Sequence, residues 1–219
     1  MKKIKLLIAT GNKNKLMEFK KIIPDSIFDI YTLNDFIDID IPEEKGETFE
    51  EISINKALAV ATQVRGQYWI LAEDSGLCVP DLDGKPGIYS ARFASDHDDD
   101  INQRALIKEL HTIGKTTAKA YYKCSIALIP SQFGDTVYLN NAIVVDGKME
   151  GKIIDTLKGD GGFGYDKMFV PDLRSTCNDK INKHDFTLAQ MPKEVYHNFT
   201  HRTRATICAI SALYHDLSM

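Results

Sequence analysis

The chain has 219 residues, 43% of them hydrophobic and 26% charged, with a formal net charge of −4 at pH 7. That composition excludes intrinsic disorder, and the length suffices to bury a sizeable core. A general nucleic-acid binder carries a basic surplus, so the acidic balance argues against that class, while a local basic pocket for a small anion stays open.

Ile4 to Ala9 reads as a buried strand. Lysines precede its apolar run, as in a secretory leader, but the run is too short for one. No stretch of about 18 apolar residues occurs anywhere, so a cytoplasmic chain without a membrane span is expected. Leu16, Phe19, Ile22 and Ile23 take helical spacing, closed by Pro24. Ile27 to Leu33 predicts a second strand, and Asp35 to Glu47 an acidic loop. Thr48-Phe49-Glu50-Glu51 fits a capping box that opens a helix to about Val64, with Gly66 as its stop. Tyr68 to Ala72 predicts a strand that ends at two adjacent carboxylates, Glu73 and Asp74, with Ser75 and Gly76 turning the chain.

After a turn at Asp83 to Gly87, Asp100 to Gln103 opens a capped helix ending at Gly114. Ala120 to Pro130 and Thr136 to Val145 predict a hairpin about Gly134 and Asp135, and Glu150 to Asp155 a further strand. A glycine-rich loop, Gly159 to Gly164, precedes a strand-like run from Tyr165 to Pro171. An amphipathic helix from His201 to Leu217 closes the chain. Strands alternating with helices, then hairpins, predict an α/β protein with a mixed sheet. The four cysteines, Cys78, Cys124, Cys177 and Cys208, form no CxxC pair and read as reduced thiols.

The turn Thr10-Gly11-Asn12-Lys13-Asn14-Lys15 lies where a strand gives way to a helix. Small residues there let backbone N–H groups approach a phosphate, and the helix dipole favours an anion; an ordinary capped turn has the same composition. Gly159 to Gly164 matches GxGxxG but lacks the strand before and the helix after that a dinucleotide fold needs. Its glycines instead allow tight bending that places Phe163 and Tyr165 either at a base-stacking site or in the core. His97 to Asp100 tempts a metal reading, and a helix start explains it better, with Asp100 as the cap. Thr200, His201 and Arg202 open the last helix, where they are either solvated or aimed at an anionic ligand. Glu73 and Asp74 point to opposite faces of a strand, so they need not share a role. An oxygen site with few carboxylates suits Mg²⁺, and Glu43, Glu44 and Glu47 are further candidate acids.

Together these stretches resemble the inosine triphosphate pyrophosphatase family, which removes deaminated purine triphosphates. The resemblance rests on Thr10 to Lys15, on Glu44-x-Gly46 followed by Glu51 to Lys56, and on Glu73-Asp74-Ser75-Gly76-Leu77. It continues through Gly84 to Arg92, Gly162 to Asp166, Thr187-x-Ala189 and His201-Arg202. It implies one domain over residues 1–219, with an elongated mixed sheet flanked by helices, two lobes and a central substrate cleft. It also implies a homodimer that cleaves a nucleoside triphosphate between its α and β phosphates.

By matched position, Thr10, Gly11, Asn12, Lys13, Asn14, Lys15, Lys56 and Ser75 would hold the triphosphate. Glu44 and Asp74 would bind Mg²⁺, with Glu73 supporting, and Asp74 would activate the attacking water. Phe163, Gly164 and Tyr165 would flank the purine, with Asp166, Tyr196, His201 and Arg202 near the base. Three positions depart from the family pattern: Tyr196 stands for a Lys, Thr200 for a Ser and Gln190 for a Glu. Tyr196 implies a shifted or relaxed base preference with the hydrolysis retained. A non-catalytic nucleotide binder, a nicotinamide oxidoreductase and a pyrimidine-type pyrophosphatase are the competing classes.

Overall fold

The computed structural model describes residues 3–36, 39, 45–131, 142–173 and 185–216. Glu43, Glu44, the Gly134–Asp135 turn and Cys177 lie outside the described residues. In chain order the elements are β1 (Ile4–Ile8), α1 (Lys13–Ile22), β2 (Phe28–Thr32), α2 (Phe49–Ala61) and β3 (Trp69–Cys78). Then come α3 (Asp99–Thr112), β4 (Thr117–Pro130), β5 (Ile143–Ile154), β6 (Phe169–Pro171), α4 (Lys193–Tyr196) and α5 (His201–Asp216). The strands form one sheet in the order β2-β1-β3-β4-β5-β6. β1 runs parallel to β2 and β3, while β5 and β6 are antiparallel, so the sheet is mixed. Parallel neighbours need crossovers, and α1 and α2 supply them.

The chain divides into two compact units. One comprises Met1–Asp74, Cys124–Gly147 and Arg202–Met219; the other comprises Ser75–Lys123 and Lys148–His201. In the first unit, strand alternation sorts the core onto two faces. Leu6, Ile8 and Leu71 join Phe19 of α1 and Ala205, Ala209 and Leu213 of α5. Leu7, Ile70 and Ala72 join Ala57, Val60 and Ala61 of α2. The second unit is built about Leu77, Leu106, Leu110, Tyr122, Met149, Tyr165 and Phe169. Cys78 and Cys124 are buried, Cys208 is exposed, and all three are free thiols. Among the described residues, no helix is long and apolar enough to cross a membrane.

Five expectations change. β3 does not stop at Ala72 but continues through Glu73, Asp74, Ser75 and Gly76 to Cys78. Charge alone would end a strand there; cationic partners, described below, allow it to run on. The cap of α3 is Asp98, whose carboxylate accepts the Ile101 N–H at 3.0 Å, so Asp100 falls inside the first turn. β5 joins the end of one expected strand to the next, as far as Ile154. Of the run from Tyr165 to Pro171, only Phe169 to Pro171 is strand, because the glycine-rich loop keeps turning through Met168. The α2 capping box is half formed. Thr48 accepts the Glu51 N–H at 3.1 Å, while the Glu51 carboxylate takes the Glu47 N–H at 2.8 Å.

Candidate functional site

In the first unit, alternation along β3 separates the acidic pair. Glu73 shares the parity of Leu71 and faces α1 and α5; Asp74 shares that of Ile70 and Ala72 and faces α2. Glu73 is buried, and three side chains meet it. Lys15 Nζ lies 2.5 Å from Oε1, Arg202 Nε lies 3.7 Å from Oε2, and the Cys124 thiol donates to Oε2 at 3.6 Å. Arg202 in turn donates from Nη1 to Glu18 Oε2 at 2.5 Å. Arg202 is only 2% exposed and Glu18 8%.

Two acids and two cations therefore balance in a dry setting, the arrangement that makes such burial tolerable. Burial pushes the Glu73 carboxyl up, but Lys15, Arg202 and Lys56 outweigh it and hold it well below the usual carboxylate range. Burial lowers the Arg202 affinity for its proton; Glu73 and Glu18 more than restore it. Burial and Glu73 push the Cys124 thiol far up, so it stays neutral. A depressed folded-state pKa contributes stability above the unfolded value, near 4.5, that is lost as pH falls through the folded value. The stability difference between the parent and Glu73→Gln should therefore be widest at neutral pH and shrink steadily below about pH 4.5 in urea titrations. A difference that is flat with pH would overturn this assignment.

On the other face, Lys56 of α2 reaches Asp74. Its ammonium lies 3.1 Å from Asp74 Oδ1 and donates to the Glu73 carbonyl at 3.4 Å. Asp74 is 5% exposed. One lysine thus fixes both the carboxyl group and the backbone beside it. The turn before α1 is an internally capped one: Thr10 Oγ1 accepts the Asn12 N–H at 3.2 Å. Asn12 Oδ1 accepts the N–H groups of Asn14 at 2.9 Å and Lys15 at 3.2 Å. Gly11, Lys13 and Asn14 stand exposed at this helix start, and Ser75 on β3 is half-buried.

The second unit gathers the aromatic and glycine motifs. Gly159 packs on the Thr187–Gln190 turn so closely that a Cβ there would come within 2.5 Å of the Ala189 backbone. The Gly161 N–H donates to the Ala189 carbonyl at 3.1 Å. Gln190 accepts the Thr187 N–H at 3.1 Å, so the amide closes this turn as a carboxylate would. Asp166 accepts the Phe163 N–H at 3.0 Å and the Tyr122 hydroxyl at 3.2 Å. The Tyr122 ring stacks on His201, centroids 4.8 Å apart and planes within 10°. Burial and Asp166 push the Tyr122 phenol well up, so it remains a donor.

Tyr165 does not stand beside Phe163 as a second exposed aromatic. Its ring is in the core, and its hydroxyl donates to the Ser90 carbonyl at 2.9 Å. Phe163 is half-buried. Asp166 is likewise occupied in holding the loop, and Arg202 is held by Glu18 and Glu73. Tyr196 lies in α4, but its side chain, like Glu44, is outside the described residues. Sequence reasoning missed the parts played by Glu18, Cys124 and Tyr122. Glu18 alone carried a signal, as the single acid in a helix bearing Lys13, Lys15, Lys20 and Lys21.

The chain resembles known proteins over most of its length. A dITP/XTP pyrophosphatase from Campylobacter jejuni is 37% identical over 206 residues, covering 92% of this chain and 93% of that one. A solved HAM1 protein from Coxiella burnetii superposes with a TM-score of 0.80 at 26% identity, covering 97% of this chain and 99% of that one. The Staphylococcus aureus Ham1 protein gives 0.74 at 33% identity, covering 97% and 98%. A profile of the Ham1 family matches residues 6–210, a span that takes in both units and every motif from the Thr10 turn to Arg202. By motifs, fold and continuous sequence likeness alike, this chain belongs to the Ham1 family.

Proposed function

We propose that this protein is a nucleoside triphosphate pyrophosphohydrolase that converts deaminated purine triphosphates, dITP, ITP and XTP, to the monophosphate and pyrophosphate. The observation that carries the reading is the division of labour on β3, where Glu73 is neutralised inside the fold and Asp74 is held by Lys56 on the opposite face. The name of the Campylobacter jejuni relative points to the same substrates. Asp74 and, from the resemblance, Glu44 would hold Mg²⁺, a cation that binds through one or two carboxylates plus substrate phosphates. When bound, it would neutralise charge on the bridging and leaving oxygens. Glu73 is a weaker candidate ligand, because Lys15 and Arg202 already engage both its oxygens.

Asp74 orients the attacking water and accepts its proton. Lys56 keeps that carboxyl group in place and, with Lys13 at the exposed helix start, adds positive charge for the triphosphate. Phe163, half-buried and with its N–H held by Asp166, would stack on the purine. A donor facing the 6-oxo edge would be left unpaired by the 6-amino group of adenine, which disfavours ATP. The family match running through both units supports one catalytic domain over the whole chain. A homodimer working in the cytoplasm completes the reading, with light scattering at micromolar concentration to measure the dimer.

The deciding experiment is a pyrophosphate-release panel with Mg²⁺ and purine and pyrimidine triphosphates. dITP, ITP and XTP should exceed ATP, which lacks the 6-oxo group, in kcat/KM by about 10²-fold, the scale set by leaving a buried polar group unpaired. Equal rates across the panel would point to the shifted preference that Tyr196 suggests. Binding of ITP without any turnover would favour the non-catalytic reading.

A further inference from the structure

We propose that Asp99 and Gln103 are positioning residues for base recognition, acting through Gly164; the inference rests on the functional reading above. The two residues lie four apart on α3, so their side chains emerge one above the other. Asp99 Oδ2 accepts the Gly164 N–H at 2.7 Å. Gln103 Nε2 donates to the Gly164 carbonyl. One helix face thus holds a single residue at both its backbone polar groups. Gly164 has φ of +61°, a left-handed conformation that a side chain would strain.

The residues around Gly164 show what the clamp orders. The Phe163 N–H is taken by Asp166, and the Tyr165 hydroxyl is tied to Ser90. Phe163 is therefore fixed on its N-terminal side by Asp166 and on its C-terminal side by the α3 pair. Phe163 is half-buried while its backbone is held on both sides. A stacking platform ordered in advance does not have to lose that freedom when the ligand arrives. The acidic run at the start of α3 also resolves into distinct tasks. Asp98 caps the helix, Asp99 holds Gly164, and Asp100 lies 3.6 Å from Lys167 Nζ. Gln103 is 2% exposed, and its Oε1 meets no partner among the described residues. A buried amide with one idle oxygen costs stability, and the Gly164 contact offsets that cost.

The test compares Asp99→Ala, Asp99→Asn and Asp98→Ala in steady-state turnover of dITP and in amide hydrogen exchange. Asp99→Ala should raise the KM for dITP about tenfold with kcat held within about twofold, and should speed exchange in the Gly159–Asp166 segment about tenfold. Asp99→Asn keeps an oxygen acceptor and should return KM to within about threefold of the parent. Asp98→Ala removes the cap of the same helix; it should lower Tm while leaving KM unchanged. An unchanged KM in Asp99→Ala, or an equal rise in Asp98→Ala, overturns the proposal. A parent enzyme inactive on dITP overturns the functional reading and the base-recognition role with it. In that case exchange still judges the clamp, and an unaltered rate in Asp99→Ala overturns that too.

Discussion

Asp74→Asn should fold like the parent and lose turnover of dITP by about 10²- to 10⁴-fold, the range associated with a positioned general base. The fold should survive because the asparagine oxygen can still accept from Lys56, now 3.1 Å from Asp74 Oδ1, and because the cluster about Glu73 lies on the other face of β3. The amide cannot take a proton from water, so the chemical step is what suffers. Thermal unfolding and pyrophosphate release on the same preparation separate the two effects. Turnover within threefold of the parent would remove Asp74 from the catalytic role, and a large fall in Tm would make it a folding residue instead.

Arg202→Met should cost about 3–5 kcal/mol of folding stability, the loss typical when one member of a buried ion pair is removed. The reason lies in what stays behind. Glu18 loses its guanidinium partner, and Glu73 retains Lys15 but loses the second cation against it. Adding Glu18→Leu should recover part of the loss, since a stranded carboxylate leaves with it. Urea denaturation of the parent, the single variant and the pair measures the coupling. A loss under about 1 kcal/mol in the single variant would place Arg202 with ordinary surface pairs, contrary to its burial.

Local pattern in the sequence carried the parts of the fold that depend on neighbours along the chain. Apolar spacing marks α1 and α5, a threonine cap marks α2, and apolar runs mark β1 and β4. It failed where distant residues decide. Glu73 and Asp74 look like the end of a strand because their partners, Lys15, Lys56 and Arg202, lie far off in the chain. The same limit hid which aromatic is core: Phe163 and Tyr165 flank one glycine, and the distant Ser90 carbonyl and the core of the second unit hold Tyr165 inside. Three consecutive aspartates at the start of α3 have equal capping chemistry, and the chain path into the helix selects Asp98. The opposite facing of Glu73 and Asp74, by contrast, followed from strand period alone.

That period places a constraint on how this enzyme can vary. β3 pairs with β1 at Leu6 with Trp69, Leu7 with Ile70 and Ile8 with Leu71. Inserting or deleting one residue between Trp69 and Glu73 would exchange the two faces beyond that point. Asp74 would then be carried toward Lys15 and Arg202, and Glu73 toward Lys56, with both charges still present and neither in its place. Side chains along β3 can drift singly, but its length cannot change by one. Descendants of this chain should tolerate insertions in the loops long before they tolerate one in this strand.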